Sequence, residues 1–206
     1  MHKVKSKPLG PIDTPLVIAS SAGGPDALRQ LLTSLPPDLP IGGIVVQHMP
    51  AQFTTMLSDN LNRLSPYWIR EAVKGDVISQ GTFLVAPGGY HLALNAQGSV
   101  ELLDTPRLNS VKPAANITMC SVAPLFRHRL IAVVLTGMGQ DGLDGARSVR
   151  AHGGTVLAQD RESSFAYFMP KAVIEANLAH YTGSPVDLGL KVASLVQRLR
   201  ISSLNV

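Results

Sequence analysis

Apolar residues recur along the chain in two rhythms, short unbroken runs and helical spacings, and their order predicts the fold. Leu16 to Ala19 is a short apolar run with two β-branched residues, the pattern of a strand buried on both faces. Gly23 and Gly24 then permit a tight turn, Pro25 suits the first position of a helix, and Asp26 favours its N-terminus. Leu28, Leu31, Leu32 and Leu35 continue at helical spacing. The unit repeats: Ile41 to Gln47 reads as a second buried strand ending in His48-Met49-Pro50, and Phe53, Met56, Leu57, Leu61 and Leu64 mark a second helix. Two β-α units in succession argue for a doubly wound, mainly parallel sheet with helices on both faces.

The middle of the chain changes character. Short candidate strands fall near Ile69–Val73, Thr82–Ala86, His91–Leu94 and Ser99–Leu103, separated by the turn signals Lys-Gly-Asp, Pro-Gly-Gly and Gln-Gly-Ser. This predicts a hairpin-rich patch over residues 69–103 that adds antiparallel strands to the main sheet. Residues 104–114 read as a Pro-containing loop, and Ala115 to Arg127 as a helix. The β-α rhythm then resumes with a strand over Leu130–Leu135, a glycine-rich turn from Thr136 to Gly142, and a helix facing Leu143, Ala146 and Val149 inward. A strand near Thr155–Gln159, a helix after Pro170 and a terminal helix from about Asp187 complete the pattern. Residues 1–14 read as a leader or linker, and 15–206 as one domain.

Composition narrows the function. With 206 residues, 45% hydrophobic and 16% charged, the chain is long and apolar enough for one α/β domain with a full core. A single cysteine, Cys120, rules out an intrachain disulfide and a cysteine-rich zinc site, which suits a reducing compartment such as the cytoplasm. No apolar run approaches the roughly 20 residues of a membrane-spanning helix, and the basic N-terminus lacks the apolar stretch of a secretory signal. The net charge of +4 is spread out, apart from Lys3-Lys5-Lys7 and Arg127-His-Arg129, and aromatics are only 5%. That argues against nucleic acid and leaves an acidic protein substrate as the better partner.

Three strand ends carry the chemistry. In open α/β sheets the site lies outside the carboxyl ends of the strands. Here those ends offer Ser20 and Ser21, His48 and Asp141: a hydroxyl, an imidazole and a carboxylate. Serine must lose a proton to attack, histidine can accept it, and a carboxylate can fix the imidazole tautomer. Other readings stay open at this point. The serines could be turn residues, His48 a local hydrogen-bonding residue, and Asp141 the N-cap of the helix after Gly142. A nucleotide-binding turn lacks its glycine fingerprint and Lys-Ser/Thr pair, and no spacing indicates a metal. No cofactor is called for.

Several blocks resemble a known family. Val17-Ile-Ala-Ser-Ser-Ala-Gly-Gly-Pro25, Val45-Val-Gln-His-Met-Pro50 and Val134-Leu-Thr-Gly-Met-Gly-Gln-Asp-Gly142 are similar to signature blocks of the chemotaxis protein-glutamate methylesterases, the CheB family. Val85-Ala-Pro-Gly-Gly-Tyr-His91, Ala158-Gln-Asp160 and Phe168-Met-Pro170 extend the likeness over roughly residues 15–185. The resemblance implies a catalytic domain with Ser21 as nucleophile, His48 as base and Asp141 as orienting carboxylate. It implies that the backbone around Met138, with Ala22 and Gly23 of the nucleophile turn, binds the oxyanion and substrate. The reaction would be hydrolysis of glutamyl γ-methyl esters on the cytoplasmic helices of chemoreceptors, with glutamine deamidation as a variant.

The chain departs from the family pattern at several places. Ala19 replaces a glycine, and Ser20 falls where alanine is usual, so that Ser20→Ala is expected to cost little. Ala22 replaces a threonine, removing one hydroxyl near the oxyanion, an effect of roughly threefold to tenfold. Lys112, Ala114 and Asn116 stand where the family usually carries Arg, Ser and Asp, a change that bears on substrate choice. Lys112 is also expected to steer an acidic receptor toward the site. With 14 residues before the domain, the expectation is a chain without the phosphorylatable receiver domain usual in the family, either an excised domain or a stand-alone form, with such a receiver domain as a partner outside this chain. A divergent, slow relative acting as a protein-binding module is the alternative.

Overall fold

The first strand lies at the centre of the sheet, and all seven of its residues are buried. The computed structural model describes residue 10 and residues 12–204, so most of the expected leader and its Lys3-Lys5-Lys7 cluster lie outside the described residues. Strand β1 (Thr14–Ser20) pairs in parallel with β2 (Ile41–Gln47) on one side and β7 (Ile131–Val134) on the other. With β3 (Trp68–Glu71), β4 (Thr82–Val85), β8 (Thr155–Gln159) and β9 (Tyr181–Gly183), the main sheet has seven strands in the order β3-β4-β2-β1-β7-β8-β9. All its pairings are parallel. The chain leaves β1 first toward β2 and later resumes on its other side at β7, so the strand order reverses at β1. That reversal opens a crevice at the carboxyl ends of β2, β1 and β7.

Alternate residues of each strand feed two cores. Leu16 and Ile18 point to one face, where α1 (Gly24–Ser34), α2 (Ala51–Leu64) and α6 (Pro185–Leu204) pack. Val17 and Ala19 point to the other, beneath α3 (Ala115–Phe126), α4 (Leu143–Ala151) and α5 (Phe168–Glu175). Coverage of both faces explains why the strands read as unbroken apolar runs.

The antiparallel component is smaller than the sequence suggested. Among the strands of the described residues, only β5 (His91–Leu94) and β6 (Val100–Leu103) pair antiparallel, in a separate two-stranded sheet. Strands β3 and β4 join the main sheet in parallel instead. The Lys-Gly-Asp turn between them does not fold the chain back on β3. Its backbone is bound to the start of β6, through Gly75 N–H to Val100 O (2.8 Å) and Val100 N–H to Asp76 O (2.7 Å). Helix α2 also turns a different face inward. Leu57 and Leu61 are buried with Thr54 and Ser58, whereas Phe53, Met56 and Leu64 are exposed. Thr54 occupies the buried face because its hydroxyl donates to Glu71 Oε1 (2.6 Å) and accepts from Gly88 N–H (3.1 Å).

Candidate active site

Register places two of the expected residues side by side. Ser20 of β1 lies opposite Gln47 of β2, so Ser21 and His48 are the next residues off adjacent strand ends. His48 N–H donates to Ser20 O (3.1 Å), and Ser21 N–H donates to Thr136 O (2.9 Å) beyond the end of β7. The chain after Ser21 turns at once, with Gly24 N–H bonded to Ser21 O (2.8 Å). Gly23 has φ 77 and ψ −2, the third position of a type II turn, which strains any residue but glycine.

The two serines have different fates. Ser20 is fully buried, and its hydroxyl donates to Gln47 Oε1 (2.6 Å). Ser21 is half-buried, and its hydroxyl has no hydrogen-bond partner among the described residues. The available hydroxyl is therefore that of Ser21.

Gln47 ties the two strand ends together. Its amide N–H groups donate to Ser21 O (2.9 Å) and His48 O (3.2 Å), and its oxygen is held by Ser20. A Cβ on residue 24 would come within 1.9 Å of that oxygen, so glycine is required there for close approach. Gln47→Leu should preserve volume while removing these bonds. It is expected to lower kcat by about tenfold to a hundredfold with KM little changed, since small displacements of reacting groups are that costly. Ser20→Ala leaves both carbonyl bonds of Gln47 in place. It should lower activity by less than about tenfold while costing about 1–2 kcal/mol in denaturant unfolding. Steady-state kinetics and urea titration of the two variants check both statements.

Asp141 is buried and surrounded by donors. Its Oδ2 accepts from His48 Nε2 (2.6 Å) and Ala115 N–H (2.6 Å). Its Oδ1 accepts from Asn116 N–H (2.9 Å) and Gly142 N–H (3.0 Å). Ala115 and Asn116 open α3, whose own N-cap, Ala114, offers no side-chain bond. Asp141 thus caps α3 from another segment. Asn116 returns the service to α4, its Oδ1 accepting from Gly142 N–H (2.9 Å) and Gly145 N–H (2.8 Å). Burial alone would push the Asp141 carboxyl up. The bonds from His48 and the α3 backbone outweigh it and hold the carboxyl below its ordinary range.

An ionised carboxylate only accepts, which assigns the His48 proton to Nε2 and leaves a lone pair on Nδ1. Nδ1 is buried and has no hydrogen-bond partner among the described residues. The structure therefore joins His48 to Asp141 and leaves the Ser21–His48 bond unmade, as is common in unliganded sites. A cleft of about 260 Å³ opens above the pair, lined by Met138, Gly139, Asn109 and Val111. The backbone N–H groups of Ala22 and Met138 have no partner among the described residues, so both are available to an anion.

Lys112 is not a free charge at the rim. Its ammonium pairs with Asp104 (2.6 Å), and the side chain is only 12% exposed. Gln47, Thr136 and Gln159 are the polar residues whose role no periodicity revealed. Thr136 N–H donates to Gln159 Oε1 (2.8 Å), and the Thr136 hydroxyl donates to Ala22 O (2.9 Å), bracing the turn after Ser21. The available signal was a polar glutamine closing an apolar strand, at both Gln47 and Gln159.

This arrangement can be set beside known proteins. The CheB methylesterase family profile matches residues 16–192. The chain belongs to the CheB methylesterase family. The crystal structure of the Thermotoga maritima CheB methylesterase catalytic domain superposes with a TM-score of 0.86 at 38% identity, covering 91% of this chain and 100% of that one. A protein-glutamate methylesterase/protein-glutamine glutaminase of Symbiobacterium thermophilum is 44% identical over 164 residues, 80% of this chain and 45% of that protein. The protein of the same name from Thermotoga maritima is 41% identical over 184 residues, 88% of this chain and 54% of that protein. The chain thus spans about half the length of these CheB relatives.

Proposed function

We propose that this chain is a serine hydrolase that removes methyl groups from glutamyl γ-methyl esters on the cytoplasmic helices of chemoreceptors, working in the cytoplasm. The observation that carries the mechanism is the buried His48–Asp141 pair, with His48 on the strand end adjacent to that of Ser21 and its Nδ1 unpartnered among the described residues. Ser21 Oγ attacks the ester carbonyl as its proton passes to His48 Nδ1. Asp141 stabilises the imidazolium that forms. The backbone N–H groups of Ala22 and Met138 receive the charge that develops on the carbonyl oxygen. Collapse expels methanol, which takes the proton from Nδ1. Water, deprotonated by the same nitrogen, then cleaves the acyl-serine and releases the glutamate side chain. With a glutamine substrate, ammonia would leave in place of methanol, in line with the double name of the relatives. No helix among the described residues is long and apolar enough to cross a membrane.

A serine-directed phosphonylating reagent tests the assignment of the nucleophile. Mass spectrometry of the digested adduct should place one phosphonyl group on Ser21, and labelling should fall steeply in His48→Ala. Labelling of Ser20 instead, or labelling that is indifferent to His48, contradicts the mechanism.

A further inference from the structure

Phe165 is the most exposed large apolar side chain among the described residues, at 82%. Phe168 (56%) and Met138 (55%) line one groove with it, of about 550 Å³. Exposed aromatic residues gathered in this way mark a surface that is covered in use, because water solvates them poorly. Phe165 packs beside the turn that follows Ser21: a Cβ on Gly23 would lie only 2.5 Å from Phe165 Cβ. Met138 borders both this groove and the cleft above His48 and Asp141. Anything bound at Ser21 and extended along the surface on this side runs over the aromatic ridge.

The groove also has a sign. Arg161 and Lys171 line it, and no carboxylate among the described residues does. The Arg161 guanidinium sits 5.7 Å from the Tyr167 ring centroid, over the aromatic surface. Lys171 is 3.6 Å from Glu175, an exposed pair that solvent screens and a partner's carboxylate can replace. Lys112, by contrast, is already held by Asp104.

We propose that this groove docks the ester-bearing segment of the substrate as an acidic helix with an apolar stripe, the stripe seated on Phe165 and Phe168 and its glutamates facing Arg161 and Lys171. The proposal rests on the methylesterase reading and names the surface that recognises that substrate. A glutamyl ester held at Ser21 leaves the residues three, four and seven positions along a helix on the same face, over the ridge.

The test compares methylated receptor membranes with a small neutral ester. Phe165→Ala combined with Phe168→Ala keeps the Cβ that packs on Gly23 and removes both rings. KM on receptor should rise about tenfold or more, whereas kcat/KM for the small ester should change by less than about twofold. Arg161→Glu with Lys171→Glu, both at exposed positions, should raise the receptor KM at low salt and lose most of that difference at high salt. An unchanged receptor KM in both variants, or an equal loss on the two substrates, overturns the docking proposal. If the unaltered chain hydrolyses the small ester but releases no methanol from receptor, the methylesterase reading falls instead.

Discussion

Alanine at Ser21 or at His48 is expected to lower ester hydrolysis by about 10⁴- to 10⁶-fold, with the double variant little worse than either single one. The reason is that in the proposed mechanism the two groups act as one device. Without the Ser21 hydroxyl there is no atom to form the acyl intermediate, and Ser20 cannot substitute because its hydroxyl is buried and donated to Gln47. Without His48 the hydroxyl keeps its proton at neutral pH, and the methoxide leaving group receives none. Residual activity should come from Ala22 and Met138 N–H groups acting on the carbonyl oxygen alone. Both substitutions should fold normally. Ser21 Oγ makes no bond to lose, and His48 contributes one side-chain hydrogen bond, to Asp141. Circular dichroism beside the kinetics separates loss of chemistry from loss of structure.

Asp141→Asn should cost about 10²- to 10⁴-fold in kcat, less than either alanine change, and should also destabilise the fold. Every neighbour of this carboxylate is a donor, and the amide can satisfy only half of them. Whichever way Asn is turned, its NH₂ faces two N–H groups, either His48 and Ala115 or Asn116 and Gly142. With NH₂ toward His48, the ring must accept at Nε2 and carry its proton on Nδ1, the tautomer that cannot take a proton from Ser21. The acid limb of stability should change as well. Because the folded carboxyl titrates below the ordinary aspartate value of about 3.9, Asp141 contributes stability that is fully present above that pH. That contribution is lost as pH falls through the lower folded value. Asp141→Asn should therefore be less stable at neutral pH and show a shallower further loss below about pH 4, measurable by urea titration across that range.

Much of this arrangement was legible in the residues because the signals were local. Ile41–Gln47 was bounded correctly from its apolar run, and Gly23, Gly24 and Pro25 announced the turn that presents Ser21. The antiparallel patch was overdrawn because a Lys-Gly-Asp turn looks the same whether it closes a hairpin or is captured by β6, and capture is a tertiary event. Strand β9 went unseen because its three residues, Tyr181–Gly183, carry too little pattern and are defined by pairing to β8. Thr54 defeated the helical pattern of α2 by burying a hydroxyl with its partners. In the site, residue types and order pointed to Ser20 or Ser21 with His48 and Asp141, and only the family resemblance singled out Ser21. The reciprocal capping of α3 and α4 by Asp141 and Asn116 could not be read, since it depends on two segments meeting. Lys112 shows the converse, where a charge counted in sequence is spent on a neighbour in space.

The most direct measurement is methanol release from methylated chemoreceptor membranes by this chain alone, with Ser21→Ala run in parallel. One methanol is expected for each glutamyl ester lost with the unaltered chain, and release at the buffer rate with the variant. No release by the unaltered chain, or release that survives Ser21→Ala, would contradict the proposed function.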